Sequence, residues 1–122
     1  MAKSATFDPR QAMEAYHDAI DKRDLERIRG LLAPEARYVS RGLGDVVGQA
    51  AIVDALRRYF DLHPDHRAFD DEMKAVSGSV AWSRWRLTAT NRETGVQIRR
   101  SGSETVTFDG AGRVLLVESI DD

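Results

Sequence analysis

The chain of 122 residues contains no cysteine, which removes disulfides and thiol chemistry from consideration. That absence fits a reducing cytoplasm, the expected location. Proline occurs only three times, and no apolar run approaches the roughly 20 residues a membrane span needs. No signal-peptide pattern opens the chain, so no membrane partner is expected. Charge of one sign is scarce as well: 18 basic residues against 20 acidic ones leave a net −2, spread without blocks. Nucleic-acid binding asks for a basic stripe, so no nucleic-acid partner is expected either. Internal repeats, linkers and low-complexity segments are missing too.

The residues that are present have an ordinary globular balance, 42% hydrophobic and 31% charged. The length suits one domain over 1–122, with residues 1–7 expected as a loose lead-in. Asp8-Pro9-Arg10-Gln11 predicts a helix start: Asp as cap, Pro in the first turn, Gln three residues after the cap. Ala12, Met13, Tyr16, Ala19 and Ile20 then recur at helical spacing. Asp24 is placed to cap a second helix carrying Leu25, Ile28, Leu31 and Leu32, which Pro34 stops. A short strand is expected over 35–41, a Gly-rich loop over 41–48 and a third helix over 49–61. That helix carries Ile52, Val53, Leu56, Tyr59 and Phe60 on one side.

After the His63-Pro64-Asp65 turn the period changes from 3.6 to 2. Strands are expected near 67–77, 79–91, 95–109 and 113–120, joined as successive hairpins. Three helices followed by four such strands predict an α+β fold, a curved antiparallel sheet wrapped around N-terminal helices and enclosing a pocket.

The Val96–Phe108 segment breaks its own pattern. Its odd positions are polar, while Val96, Ile98, Val106 and Phe108 share the other face with Arg100, Gly102 and Glu104. A charge on a covered face must be paired, neutralised or facing a cavity. Four residues of strand span roughly 13 Å, too far for Arg100 and Glu104 to meet directly. Two polar groups in an apolar concavity mark a ligand site. A bulge at Gly102 would bend the strand and turn Arg100 toward solvent, so both orientations of Arg100 stay open.

The helix-1 run Ala15-Tyr16-His17-Asp18-Ala19-Ile20-Asp21-Lys22-Arg23-Asp24-Leu25-Glu26 and the ending Thr105-Val106-Thr107-Phe108-Asp109-Gly110-Ala111-Gly112-Arg113-Val114 carry a resemblance. Together they resemble the SnoaL-like and ketosteroid-isomerase-like branch of the nuclear-transport-factor-2-like superfamily, with its cone-shaped sheet (the cystatin-like roll). In the ketosteroid isomerases a helix-1 Tyr and an inward strand acid form an oxyanion hole, and a second acid shuttles the proton. By position the resemblance gives Tyr16 and Glu104 the first two roles. The proton-shuttle position falls on Ser40, whose hydroxyl cannot replace a carboxylate base unaided. The resemblance also implies a homodimer formed through the sheet.

A Glu in an apolar pocket can be held neutral and donate a hydrogen bond, so Glu104 and Tyr16 together suit the oxygen of a bound carbonyl. Against this stand plainer readings: Tyr16 as a core tyrosine, and Glu104 as the partner of Arg84 or Arg86. His17 is the obvious substitute base, having an ordinary pKa near neutral, or else a half-exposed helix residue. Trp85, on the face of Ala81, Ser83, Leu87 and Ala89, is expected to line the cavity; Trp82 faces outward as a candidate dimer contact. Ser40, Arg100, Phe60 and Val106 complete the expected binding surface, with Asp45 within reach of its mouth. His63 and His66 beside Asp65 have metal-like letters but sit in a Pro turn without a fourth ligand, so neither metal nor cofactor is expected.

The leading expectation is an isomerase, cyclase or lyase acting on a small apolar carbonyl-bearing substrate, in the manner of a ketosteroid isomerase or polyketide cyclase. The alternative is a non-catalytic ligand-binding or dimerisation domain of the same fold. An epoxide-hydrolase-like enzyme is a third class, needing an Asp-Arg-Asp constellation of which one Arg and one acid are visible.

Overall fold

A computed structural model describes residues 7–122; residues 1–6 of the lead-in expected over 1–7 lie outside the described residues. Phe7, assigned to that lead-in, instead meets Phe108 edge-on with ring centroids 5.2 Å apart. Asp8 caps the first helix, α1 (Pro9–Asp21), its carboxylate accepting the Arg10 and Gln11 N–H groups at 3.0 and 3.3 Å. Met13, Tyr16 and Ala19 bury its apolar stripe. Asp24 likewise caps α2 (Leu25–Leu31) through the Arg27 N–H at 3.2 Å. The third helix, α3 (Gln49–Leu62), buries Ile52, Val53, Leu56 and Phe60.

Six strands follow from the chain: β1 (Leu32–Ser40), β2 (Gly44–Val47), β3 (Arg67–Ala75), β4 (Val80–Thr90), β5 (Gln97–Phe108) and β6 (Val114–Asp121). They form one sheet in the order β2-β1-β6-β5-β4-β3. The fold is α+β as expected, but the sheet is mixed rather than wholly antiparallel, because β1 runs parallel to β6. The helices cover one face: α1 packs on β3 and β4, α3 on β1 and β2, with α2 between α1 and α3. The core of Met13, Ile28, Leu32, Ile52, Val106, Val114 and Val117 is sealed between these layers.

Three local features depart from the sequence reading. The Gly-rich stretch expected as a loop contains β2, which pairs with β1 from Arg37↔Val47 to Ser40↔Gly44. A four-residue strand is too short to show a period. Pro34 lies inside β1, within the stretch where pairing to β6 shifts register, so its missing N–H breaks no ladder bond. Gly102 is not a bulge: β4 and β5 pair in one register from Thr90↔Gln97 to Val80↔Thr107. Glycine is needed there for close approach, since a Cβ would stand 2.0 Å from the Ile120 carbonyl oxygen and 2.8 Å from the Trp85 ring. Parity therefore holds, and Arg100 shares the concave face with Glu104.

The bulge lies elsewhere. Asp70 pairs with Trp85 and Glu72 with Arg84, leaving Asp71 as an extra residue in β3. The extra residue reverses parity, so that Ala68 and Asp70 on one side of it and Met73 on the other all face the helices.

Candidate functional site

Between α1, α3 and the concave face lies a cavity of about 120 Å³, open at one side. Its walls are apolar over most of their extent, from Ile20, Leu43, Leu56, Phe60, Trp85 and Leu87. Its polar groups gather at two ends.

At one end α1 brings His17 against the sheet. His17 Nδ1 donates to Asp70 Oδ2 at 2.7 Å and Nε2 donates to Glu104 Oε1 at 2.6 Å. The histidine side chain is 19% exposed and that of Glu104 10%, so solvent screens the pair little. Burial works to lower the His17 pKa, but the charges and hydrogen bonds of Glu104 and Asp70 overrule it and raise it to about 10. At neutral pH His17 is an imidazolium held by two carboxylates. Asp70 reaches it from β3, opposite the inward Trp85.

Beside Glu104 stands Tyr16, 1% exposed. Its hydroxyl has no hydrogen-bond partner among the described residues. Burial first, then the Tyr38 phenol and the Glu104 charge, raise the Tyr16 pKa well above the usual phenol value. Tyr38, raised by burial and Glu104, stands close enough to perturb Tyr16, but the two hydroxyls lack the geometry of a hydrogen bond. Trp85 Nε1 is likewise buried and unpartnered. A buried donor without an acceptor is costly, and two of them on one cavity wall suit a ligand that brings acceptors.

At the other end Arg100 Nε and Nη2 donate to the two carboxylate oxygens of Asp121 at 2.6 and 2.9 Å. Hydrogen bonding to Arg100 lowers the Asp121 pKa, with Arg41 adding to the effect. Here the Tyr59 hydroxyl and His66 Nδ1 are hydrogen-bonded at 2.9 Å. Burial, with Arg23, His63 and Arg100, pushes the His66 pKa down to about 4, so this ring is neutral at pH 7.

The structure brings Tyr16, His17, Ser40, Phe60, Trp85, Arg100 and Glu104 to the one cavity. Val106 does not join them; it is wholly buried in the core one step along β5 from Glu104. Nor does Glu104 pair with Arg84 or Arg86, which are bound to Asp122 and Asp71 on the outer face. Asp45 stays away from the mouth in a bidentate pair with Arg37. Ser40 Oγ accepts the Leu43 N–H at 2.9 Å and closes the turn into β2. Among the described residues no cluster of three or more ligating side chains suits a metal ion; His63 donates to its own helix through the Tyr59 carbonyl.

Sequence reasoning missed Asp70, Asp121, Tyr38 and His66. Tyr38 shares the parity of Ser40 on β1 and was open to the same alternation argument. Asp70 was not: a bulge inside an acidic run leaves no periodic signal.

Three helices on the concave face of an unclosed six-stranded sheet, with a side cavity between them, define the nuclear-transport-factor-2-like class of pocket folds. The chain belongs to the SnoaL-like domain family, whose profile matches residues 13–117. Solved structures share the fold at low identity. An NTF2-like protein from Burkholderia thailandensis is 20% identical, with TM-score 0.82 over 94% of this chain and 91% of that one. A candidate polyketide cyclase from Xanthomonas campestris is 17% identical, TM-score 0.78, over 89% and 86%. An LEH-like epoxide hydrolase from Mycobacterium tuberculosis is also 17% identical, TM-score 0.77, over 92% and 80%. No curated protein matches the sequence. Among the described residues no helix is long and apolar enough to cross a membrane.

Proposed function

We propose that this protein is an isomerase, cyclase or lyase that moves a proton on a small apolar substrate next to a carbonyl group. The observation that carries the reading is the unpartnered Tyr16 hydroxyl, buried beside a Glu104 that is itself held by His17. In the mechanism Tyr16 donates to the substrate carbonyl oxygen and stabilises the charge that develops there. Glu104 takes a proton from the adjacent carbon; the C–H electron pair becomes the enolate double bond. Returning the proton at another carbon completes an isomerisation; attack by the enolate carbon on a second carbonyl, whose oxygen receives the C=O electron pair and then the proton, completes a cyclisation. His17 is an imidazolium and so not the base; it orients Glu104, while Asp70 fixes the ring as the buried acid does in a Ser-His-Asp triad.

The test is deuterium exchange into an enolisable apolar ketone, 2-tetralone, in D₂O followed by NMR. The protein is expected to accelerate exchange over buffer, and Glu104→Gln and Tyr16→Phe to lose at least about 100-fold of that gain. Exchange at the buffer rate with bound ketone would remove the catalytic reading.

One observation favours the alternative, a non-catalytic ligand-binding domain: Ser40, to which the resemblance gives the proton-shuttle position, is engaged in a turn. The homodimer expected through the sheet rests on Trp82, which lies on the outer face beneath the Lys74 ammonium at 5.0 Å from its ring. Light scattering on Trp82→Glu tests it: a dimeric parent and a monomeric variant support the contact.

A further inference from the structure

The proton-transfer reading leaves one edge of a guanidinium idle. Arg100 uses Nε and Nη2 on Asp121, while Nη1 has no hydrogen-bond partner among the described residues. Nη1 faces Gly42, in the turn between β1 and β2. A Cβ at Gly42 would stand 3.5 Å from Nη1 and 3.5 Å from the Tyr59 ring. The backbone of Gly42 is not left-handed, so what glycine supplies here is space rather than conformational freedom. Ser40, on the same cavity, uses its oxygen to accept from Leu43 and keeps its O–H free to donate.

Two further arginines stand near this end. Arg100 shares Asp121 with the field of Arg41, and Arg23 reaches the same region through the His66 carbonyl at 3.1 Å. Among the described residues neither Arg23 nor Arg41 has a carboxylate within 4.0 Å. His66 is neutral and adds no charge. Of these guanidiniums Arg100 lines the cavity, at a rim walled by Tyr59, Phe60 and Leu43, while Asp121, Asp122 and Asp65 supply the carboxylates nearby. At the opposite end Asp70 and Glu104 flank a single imidazolium. The two ends thus differ: an unengaged guanidinium edge at Gly42, two carboxylates at His17.

We propose that the ligand is an apolar keto acid, its carboxylate seated at Gly42 against Arg100 Nη1 and the Ser40 hydroxyl, its carbonyl turned toward Tyr16. The carbonyl end rests on the proposed function; the carboxylate end does not. Arg suits this role because its guanidinium keeps a charged donor after two others are engaged.

The experiment compares 4-oxo-4-phenylbutanoate with its methyl ester by calorimetry at low salt. The acid is expected to bind the parent about tenfold tighter or more, as a charge-assisted hydrogen bond implies. Arg100→Gln should bring acid and ester level. Because that change strips Asp121 of its partner, Arg100→Gln with Asp121→Asn serves as a second, charge-balanced variant with the same expected result. Gly42→Ala should weaken the acid by filling its seat without altering charge. Equal affinities of acid and ester in the parent, a preference that survives in both Arg100 variants, or no binding of either ligand overturns the proposal. Acid preference with no effect of Tyr16→Phe would remove the carbonyl assignment alone; ketone exchange without acid preference would remove this proposal alone.

Discussion

His17 and His66 line the same cavity and are buried by the same kind of apolar wall, yet their pKa values are driven apart, to about 10 and about 4. Burial pushes both downward. His17 reverses it because two carboxylates receive its N–H groups; His66 follows it because its charged neighbours are mostly cations and its partner is a phenol. The difference teaches that the enclosure does not set the chemistry of either end. The charges that the strands carry to each ring do.

The largest blow to this arrangement is expected at the residue that separates the two ends. Gly102→Ala drives a methyl into the Ile120 carbonyl and the Trp85 ring. We expect a loss of about 3 kcal/mol or more, seen as a fall of roughly 10 °C in thermal midpoint. A variant as stable as the parent would show that the ends are not held apart by this contact.

Replacing each histidine by Gln sharpens the comparison. His17→Gln leaves two carboxylates facing each other across a partly buried gap and should cost about 3 kcal/mol near neutral pH. His66→Gln loses one hydrogen bond and should cost about 1 kcal/mol. The pH dependence has opposite signs. The His17 pKa is raised by folding, so its contribution is complete below about 6.5 and fades as pH climbs toward 10. The His66 pKa is depressed, so its contribution is complete above about 6.5 and fades as pH falls toward 4. Urea unfolding at pH 5, 7 and 9.5 reads both slopes, and parallel slopes would break the contrast.

The smallest effect is the most local. Asp70→Asn should lower the His17 pKa toward the ordinary histidine range and leave the His66 titration where it is, as followed by NMR of the ring carbons. A shift in both rings would mean that the ends are coupled through more than the shared cavity.

The sequence made one half of the cavity readable and hid much of the other. Asp8 and Asp24 announced their helices because capping is local chemistry carried by one side chain. The alternation of β5 placed Glu104 and Arg100 on one face, and the register across Gly102 kept them there. Trp85 followed from the same period. The partners of those residues were not readable, because each arrives from a distant strand: Asp70 from β3 behind a bulge, Asp121 from the end of β6. The parallel contact of β1 with β6 was hidden for the same reason, since no hairpin joins them. What His17 does depends on these long-range neighbours, and its own helix says only that it borders the apolar stripe.

The extra residue in β3 has a further consequence. β3 is an outer strand of the sheet, with Asp70, Asp71 and Glu72 in succession at the bulge. An open strand edge invites a second chain to add to it, and a local kink crowded with like charge denies that chain a straight ladder to follow. Asp71 therefore serves colloidal integrity. Removing it would join Asp70, opposite Trp85, to Glu72, opposite Arg84, in one continuous register and straighten the edge, so a tendency to form fibrils should appear while the raised His17 pKa persists.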